Sequence, residues 1–201
     1  MPESAEEVYA RVVAHVGEGG RLPTPPVHEW DSFPWEGEIV AKVVQPPLVE
    51  EPARRGEAQQ DCWRCEHQGT NAIWGNDRWI VTSTNEPPGL PVILFLESRE
   101  HMDFTDLDDD LASEFGRISS WLHRIMSNLP NIGRVHVCKW GDGSYHLHTW
   151  FLARTARMPN TLGSPAAEWN EILPPAPEGI WRADLRVVAR RLATHDGEAL
   201  L

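Results

Sequence analysis

The chain has 201 residues, 41% of them hydrophobic and 24% charged, with a formal net charge of −12. That supplies one sizeable core but not two independent ones, and the acidic balance argues against a nucleic-acid backbone as the main partner, because such binders concentrate Lys and Arg against phosphates. No uninterrupted apolar run is long enough for a transmembrane helix, and three cysteines are too few for a disulfide scaffold.

The acidic opening, Met1 to Glu7, lacks the basic-then-apolar order of a signal peptide, so the expected address is the cytoplasm. Residues 1 to about 20 are expected to hold a short helix with Val8, Val12, Val13 and Val16 at helical spacing, stopped by Gly17 and Gly19-Gly20. Pro23, Pro25 and Pro26 make an irregular connector into the aromatic, turn-rich segment Trp30 to Gly37. Ile39 to Val44 has the composition of a strand, and Pro46 to Gln60 that of a long loop.

From residue 61 the pattern changes. Arg78 to Ser83 and Pro91 to Leu96 are expected as strands turned at Pro87-Pro88-Gly89. Thr105, with Asp108 three residues on, has the spacing of a helix N-terminal cap. The helix behind it sets Leu111, Phe115, Ile118, Leu122, Ile125 and Leu129 on one stripe, and Pro130 and Gly133 end it. Arg134 to Trp140 is a further strand, followed by the glycine-rich Gly141-Asp142-Gly143-Ser144 and a strand from Tyr145 through Ala153. Two weaker helices follow, Ser164 to Ile172 and Ile180 to Leu192. The order suits an α+β fold in which an antiparallel sheet carries one long helix across it.

Three features carry chemistry. On a strand His146, His148 and Trp150 point the same way, which sets two imidazoles side by side behind a glycine loop. Cys62 and Cys65 have the spacing that lets two thiolates share one metal, although a CxxC can also be a redox pair. Trp74, Trp79, Trp140 and Trp150 either stack on a nucleobase or sugar, or fill core volume, with Trp79 and Trp150 the preferred walls. Taken singly, each has a bland alternative: two histidines on one strand face are more often surface or packing, the glycine loop could be a plain hairpin turn, and His136 could be pocket or core.

Together, Tyr145-His146-Leu147-His148-Thr149-Trp150, Cys62-x-x-Cys65 and His101 resemble the histidine-triad (HIT) superfamily, and within it the zinc-bearing branch related to galactose-1-phosphate uridylyltransferase. Asp77-x-Trp79-Ile80-Val81, Pro88-Gly89-x-Pro91-Val92-Ile93-Leu94 and Arg99-Glu100-His101 through Leu107 follow the family's landmarks in order, over roughly residues 60 to 155. The resemblance implies a HIT-like sheet-and-helix domain at 61–155, with an N-terminal extension at 1–60 and a C-terminal helical extension at 156–201. It implies His148 as the nucleophile that forms a nucleotidyl-histidine, and a structural zinc ion on Cys62, Cys65, His101 and His146, with His67 as a rival ligand. It also implies a small nucleotide or nucleotide-sugar as ligand and a homodimer, which no residue pattern here supports independently.

The departures are as informative. Trp150 stands where the family has His or Gln, and indole cannot act as an acid near neutral pH. The family's phosphate-binding side chains fall at Gly143 or Ser144 and near Cys138 or Lys139. The backbone of Gly141, Gly143 and Ser144 is therefore the expected phosphate cradle, with Lys139 and Arg154 adding charge. Two functions follow: a nucleotidyl transferase or nucleotide phosphoanhydride/phosphoramidate hydrolase, or a catalytically inactive zinc protein that binds a nucleotide or a protein partner.

Overall fold

The computed structural model describes residues 4–201, and these form two compact units, one ending at Ala53 and the other running from Arg54 to Leu201. In the first, helix α1 (Ala5–Val13) is started by a capping box: Glu7 N–H donates to the Ser4 hydroxyl at 3.2 Å, and Ser4 N–H donates to the Glu7 carboxylate at 2.7 Å. The first three residues of the expected helix lie outside the described residues. Two 3-10 turns follow, at Glu18–Gly20 and Val27–Glu29.

The strand expected at Ile39 to Val44 does not form. The backbone there bonds to a side chain instead: Ala41 N–H donates to Thr24 Oγ1 and its carbonyl accepts from Arg21 Nη1. Val40, Val43 and Val44 are exposed, so the β-branched composition finds no neighbouring strand to pack on.

The second unit is built on a six-stranded, wholly antiparallel sheet: β1 (Ala72–Gly75), β2 (Trp79–Ser83), β3 (Val92–Ser98), β4 (Ile132–Cys138), β5 (His148–Thr155) and β6 (Glu198–Ala199), ordered β4-β5-β3-β2-β1-β6. Short helix α2 (Trp63–Glu66) precedes the sheet; α3 (Asp109–Ser127), α4 (Ala166–Ile172) and α5 (Glu178–Leu192) complete the unit. Helix α3 is capped by Asp108, whose carboxylate accepts from Leu111 N–H at 2.8 Å. Thr105 lies instead in a preceding 3-10 turn that Asp103 caps, because Asp103 and Asp106 close a box of their own.

Alternation along the strands separates two faces. One packs Trp79, Val81, Leu94, Leu96, Phe151 and Ala153 against Ile118, Leu122 and Met126 of α3 and against Trp181, Leu185 and Val188 of α5, forming the main core. The other bears Leu90, Ile93 and Leu152 with Phe95, Cys138 and Trp150, and Ala167 of α4 and Leu173 just beyond it pack on them. Gly89 is fixed by this docking, since a Cβ there would strike the Asn170 carbonyl oxygen. Residues beyond 155 thus belong to the same unit as the sheet: α5 fills its core and β6 pairs with β1. No helix among the described residues is long and apolar enough to cross a membrane.

Candidate active site and metal centre

The polar part of the second sheet face follows from register. Glu97 of β3 pairs with His148 of β5, and Phe95 with Trp150, so all four side chains emerge on the face opposite the main core. They line a cavity of about 550 Å³ with Arg55, Asp61, Trp63, Arg64, Ser144 and His146. His146 precedes β5 rather than lying on it, yet the expected common direction of His146, His148 and Trp150 is kept.

His148 Nδ1 lies 2.7 Å from the carbonyl oxygen of His146. A carbonyl only accepts, so Nδ1 carries the proton and Nε2 keeps its lone pair. Burial pulls the His148 pKa down, more than the hydrogen bond to His146 raises it, and the positive charges of Lys139 and Arg64 add to the depression. Both effects favour the neutral ring, with its Nε2 lone pair free.

Four donor residues meet beside this pocket. Cys62, Cys65, His101 and His146 bring their ligand atoms within 4.8 Å of one another. Cys62 Sγ and Cys65 Sγ lie 3.4 and 3.5 Å from His146 Nδ1, and Cys65 Sγ lies 3.4 Å from His101 Nδ1. Ligands of a tetrahedral ion with S and N bonds of about 2.3 and 2.0 Å stand about 3.5 Å apart, so the donor set fits one. The outer contacts agree: His146 Nε2 donates to the Ser98 carbonyl at 2.8 Å and His101 Nε2 to the Glu57 carbonyl at 3.3 Å, which leaves both Nδ1 lone pairs turned inward. Burial, with Cys62 alongside, pushes the Cys65 thiol up to about 11, so an ion entering here displaces a firmly held proton. The two cysteines are not bridged. His67 takes no part; its ring stacks on Trp63 and its Nδ1 donates to the Trp63 carbonyl.

Other expected residues are placed differently. Trp79 is fully buried in the main core against Phe115, and Trp74 is buried there too, because strand alternation turns both away from His148. Trp150 does wall the cavity, edge-on to Phe95 at 4.5 Å and to Trp140 at 5.3 Å. Of the glycine loop only Ser144 lines the cavity. Gly141 and Gly143 have no left-handed backbone angles, so the alternation that makes an anion nest is missing. Their carbonyls accept from Arg54 Nη1 and Arg55 N–H, and Ser144 forms a parallel bridge with Arg55. Lys139 is spent on Asp103, 3.0 Å away, which Arg54 also meets at 2.7 Å. Burial would raise the Asp103 pKa, but these partners hold it below the usual carboxylate range. Arg154 does not line the cavity; its Nη1 donates to the Thr155 carbonyl.

Sequence reasoning missed Arg55, Arg64, Glu97, Trp63 and Phe95. Glu97 is completely buried and is the one with a signal: a carboxylate directly after the apolar run Val92 to Leu96, on the same strand, asks for a reason. Thr82 Oγ1 donates to it at 2.6 Å, and Arg64 Nε lies 2.6 Å from its second oxygen. Burial pushes its pKa up while Arg64 and Thr82 pull it back.

By sequence, no protein-family model and no curated protein matches the chain. By structure it is similar to a hypothetical histidine triad nucleotide-binding protein from Sulfolobus tokodaii, with 10% identity and a TM-score of 0.50, the match covering 66% of this chain and 93% of that one. It is equally similar to a Zn-bound histidine triad family protein from Mycobacterium smegmatis, with 13% identity and a TM-score of 0.50 over 69% of this chain and 100% of that one. A uridylyltransferase mutant matches at 11% identity and a TM-score of 0.43, over 67% of this chain and 48% of that one. The six-stranded antiparallel sheet, its long crossing helix and the first two likenesses identify the architecture: the chain has the α+β fold of histidine triad proteins.

Proposed function

We propose that the chain is a HIT-like enzyme of nucleotidyl transfer or nucleotide phosphoanhydride/phosphoramidate cleavage, working through a nucleotidyl-histidine on His148. The observation that carries this reading is the 2.7 Å contact from His148 Nδ1 to the His146 carbonyl, which supports Nε2 as a neutral nucleophile at the cavity wall. Nε2 attacks the α-phosphorus, the bond from phosphorus to the leaving oxygen, or to the leaving nitrogen in a phosphoramidate, breaks, and the leaving group departs with that electron pair. The developing imidazolium charge is met by the His146 carbonyl at Nδ1. Water or a second acceptor then attacks phosphorus and returns the histidine.

Zinc is the ion best suited to two thiolates and two imidazoles in a closed set, where its chemistry is structural. Cys62, Cys65, His101 and His146 would hold it and so fix the backbone carbonyl that orients His148. The structural neighbours, a hypothetical histidine triad nucleotide-binding protein and a Zn-bound histidine triad family protein, favour the same ligand classes.

A second reading, a binding protein without turnover, is favoured by Trp150, which packs against Phe95 and Trp140 where a proton donor or polar contact would help a leaving group. Intact-protein mass after incubation with nucleoside phosphates and nucleotide-sugars separates the two. An acid-labile nucleotide-sized adduct, absent in His148→Ala, is the expected result. Tight binding with no adduct and no turnover overturns the enzyme in favour of the binder.

A further inference from the structure

In the CxxC loop, Cys62 and Cys65 stand at the two ends of a single helical turn and both face the metal cluster. The two residues between them then project to the other side. They are Trp63 and Arg64, and both line the cavity that holds His148. Arg64 is only 24% exposed, and among the described residues its one ion pair is through Nε to Glu97. Glu97 is completely buried, and its Oε2 has no hydrogen bond and only that ion pair. A buried ion pair needs its remaining donors satisfied, and a guanidinium ion-paired only through Nε has two terminal nitrogens left over. Arg55, exposed and with no ion pair among the described residues, adds a second guanidinium to the same wall. Asp61 and Glu97 are the carboxylates lining the cavity; Glu97 is paired and Asp61 is exposed.

We propose that Arg64 and Arg55 form the anion-binding end of this cavity, gripping the ligand's phosphate beside His148, and that Glu97 is the positioning residue that aims Arg64. This rests on the reading of the cavity as a phosphate-ester site. It gives to two guanidinium groups the task the glycine loop does not perform, since Gly141 and Gly143 lie outside the lining and Lys139 is paired with Asp103. Guanidinium groups suit the task because their forked donors match phosphate oxygens in pairs.

The test is equilibrium binding of AMP, GMP, CMP and UMP, each beside its uncharged nucleoside, to the metal-loaded full chain. The proteins compared are wild type, Arg55→Met, Arg64→Lys, Glu97→Gln and the double variant Arg64→Met/Glu97→Gln, which leaves no unpaired buried charge. For the best-bound monophosphate, Kd is expected to rise about tenfold or more in Arg55→Met and in the double variant, with the nucleoside Kd unchanged within about twofold. Arg64→Lys and Glu97→Gln should fall between, as a charge kept but no longer aimed. A folded double variant with wild-type monophosphate affinity, or equal losses for nucleoside and monophosphate, overturns the proposal. So does a wild type that binds none of the monophosphates. A covalent adduct that forms normally in the double variant overturns this assignment and leaves the His148 reading standing, whereas phosphate-selective binding without an adduct does the reverse.

Discussion

Glu97 and His148 are direct partners on neighbouring antiparallel strands, so a completely buried carboxylate lies beside the imidazole proposed as the nucleophile. Thr82 and Arg64 both reach the carboxylate, one from the next strand and the other from the CxxC loop. The CxxC loop, the sheet and the cavity are thereby joined through one side chain.

Because the pair is buried on its acidic side, removing either partner leaves an uncompensated charge. Arg64→Met is expected to lower the unfolding free energy by about 3 kcal/mol, since it leaves a completely buried carboxylate without its charge partner. Glu97→Gln alone should cost less, because the guanidinium it leaves unpaired is partly exposed. The double variant should be more stable than the sum of the single losses, the signature of coupled groups. Urea unfolding of the four proteins checks this, and strict additivity would count against the pairing.

Metal content offers a separate check. The chain purified in the presence of zinc is expected to carry one ion per molecule by elemental analysis, and Cys65→Ser or His101→Ala to carry far less. Cys138→Ser, at a half-buried cysteine outside the cluster, should keep its ion. Chelation should lower the melting temperature and release the loop that bears Arg64, because a structural site contributes on the order of 10 kcal/mol to folding. A melting temperature indifferent to chelator would argue for an empty or redox-active cysteine pair.

The two tryptophans expected to act alike should behave in opposite ways. Trp79 is fully buried against Phe115, so Trp79→Ala is expected to cost about 3–5 kcal/mol of stability, as large cavities in cores do. Trp79→Phe should recover most of that, because the indole N–H has no partner to lose. Trp150→Ala should instead weaken binding of the preferred nucleotide about tenfold, with a smaller effect on unfolding. Thermal melts and binding titrations on the same preparations tell the two apart.

What could be read in advance followed the range of the interactions involved. The long helix, the strands at 79–83 and 92–98 and the direction of His148 and Trp150 rest on local period, which the sequence displays. Trp79 was misassigned to the cavity because alternation says which residues share a face but not which face is the core. Arg55, Arg64 and Glu97 were missed for a different reason: Arg64 and Glu97 are 33 residues apart in the chain and meet only through the register of β3 and the turn of α2. The strand expected at Ile39 to Val44 shows the limit of composition without a neighbour, and the two-residue β6 is too short to leave any pattern.

Stability on the sheet's β4 side should depend on pH through His136. Its imidazole pairs across the ladder with Leu152, its Nε2 has no hydrogen bond, and burial, with the charge of Arg154 added, holds its pKa below the ordinary 6.5. The folded chain therefore resists protonation there while the unfolded chain accepts it from about pH 6.5 downward. The contribution to stability is fully present above that value and is lost as pH falls toward the folded-state pKa. His136→Leu removes the titrating group with little change in volume, so its melting temperature should fall less than the wild type's between pH 7.5 and pH 5.5. His146 and His148 have depressed pKa values of the same sign and contribute equally to both proteins, which the comparison cancels. Parallel pH profiles for the two would mean that His136 opens to solvent and takes its proton in the folded state.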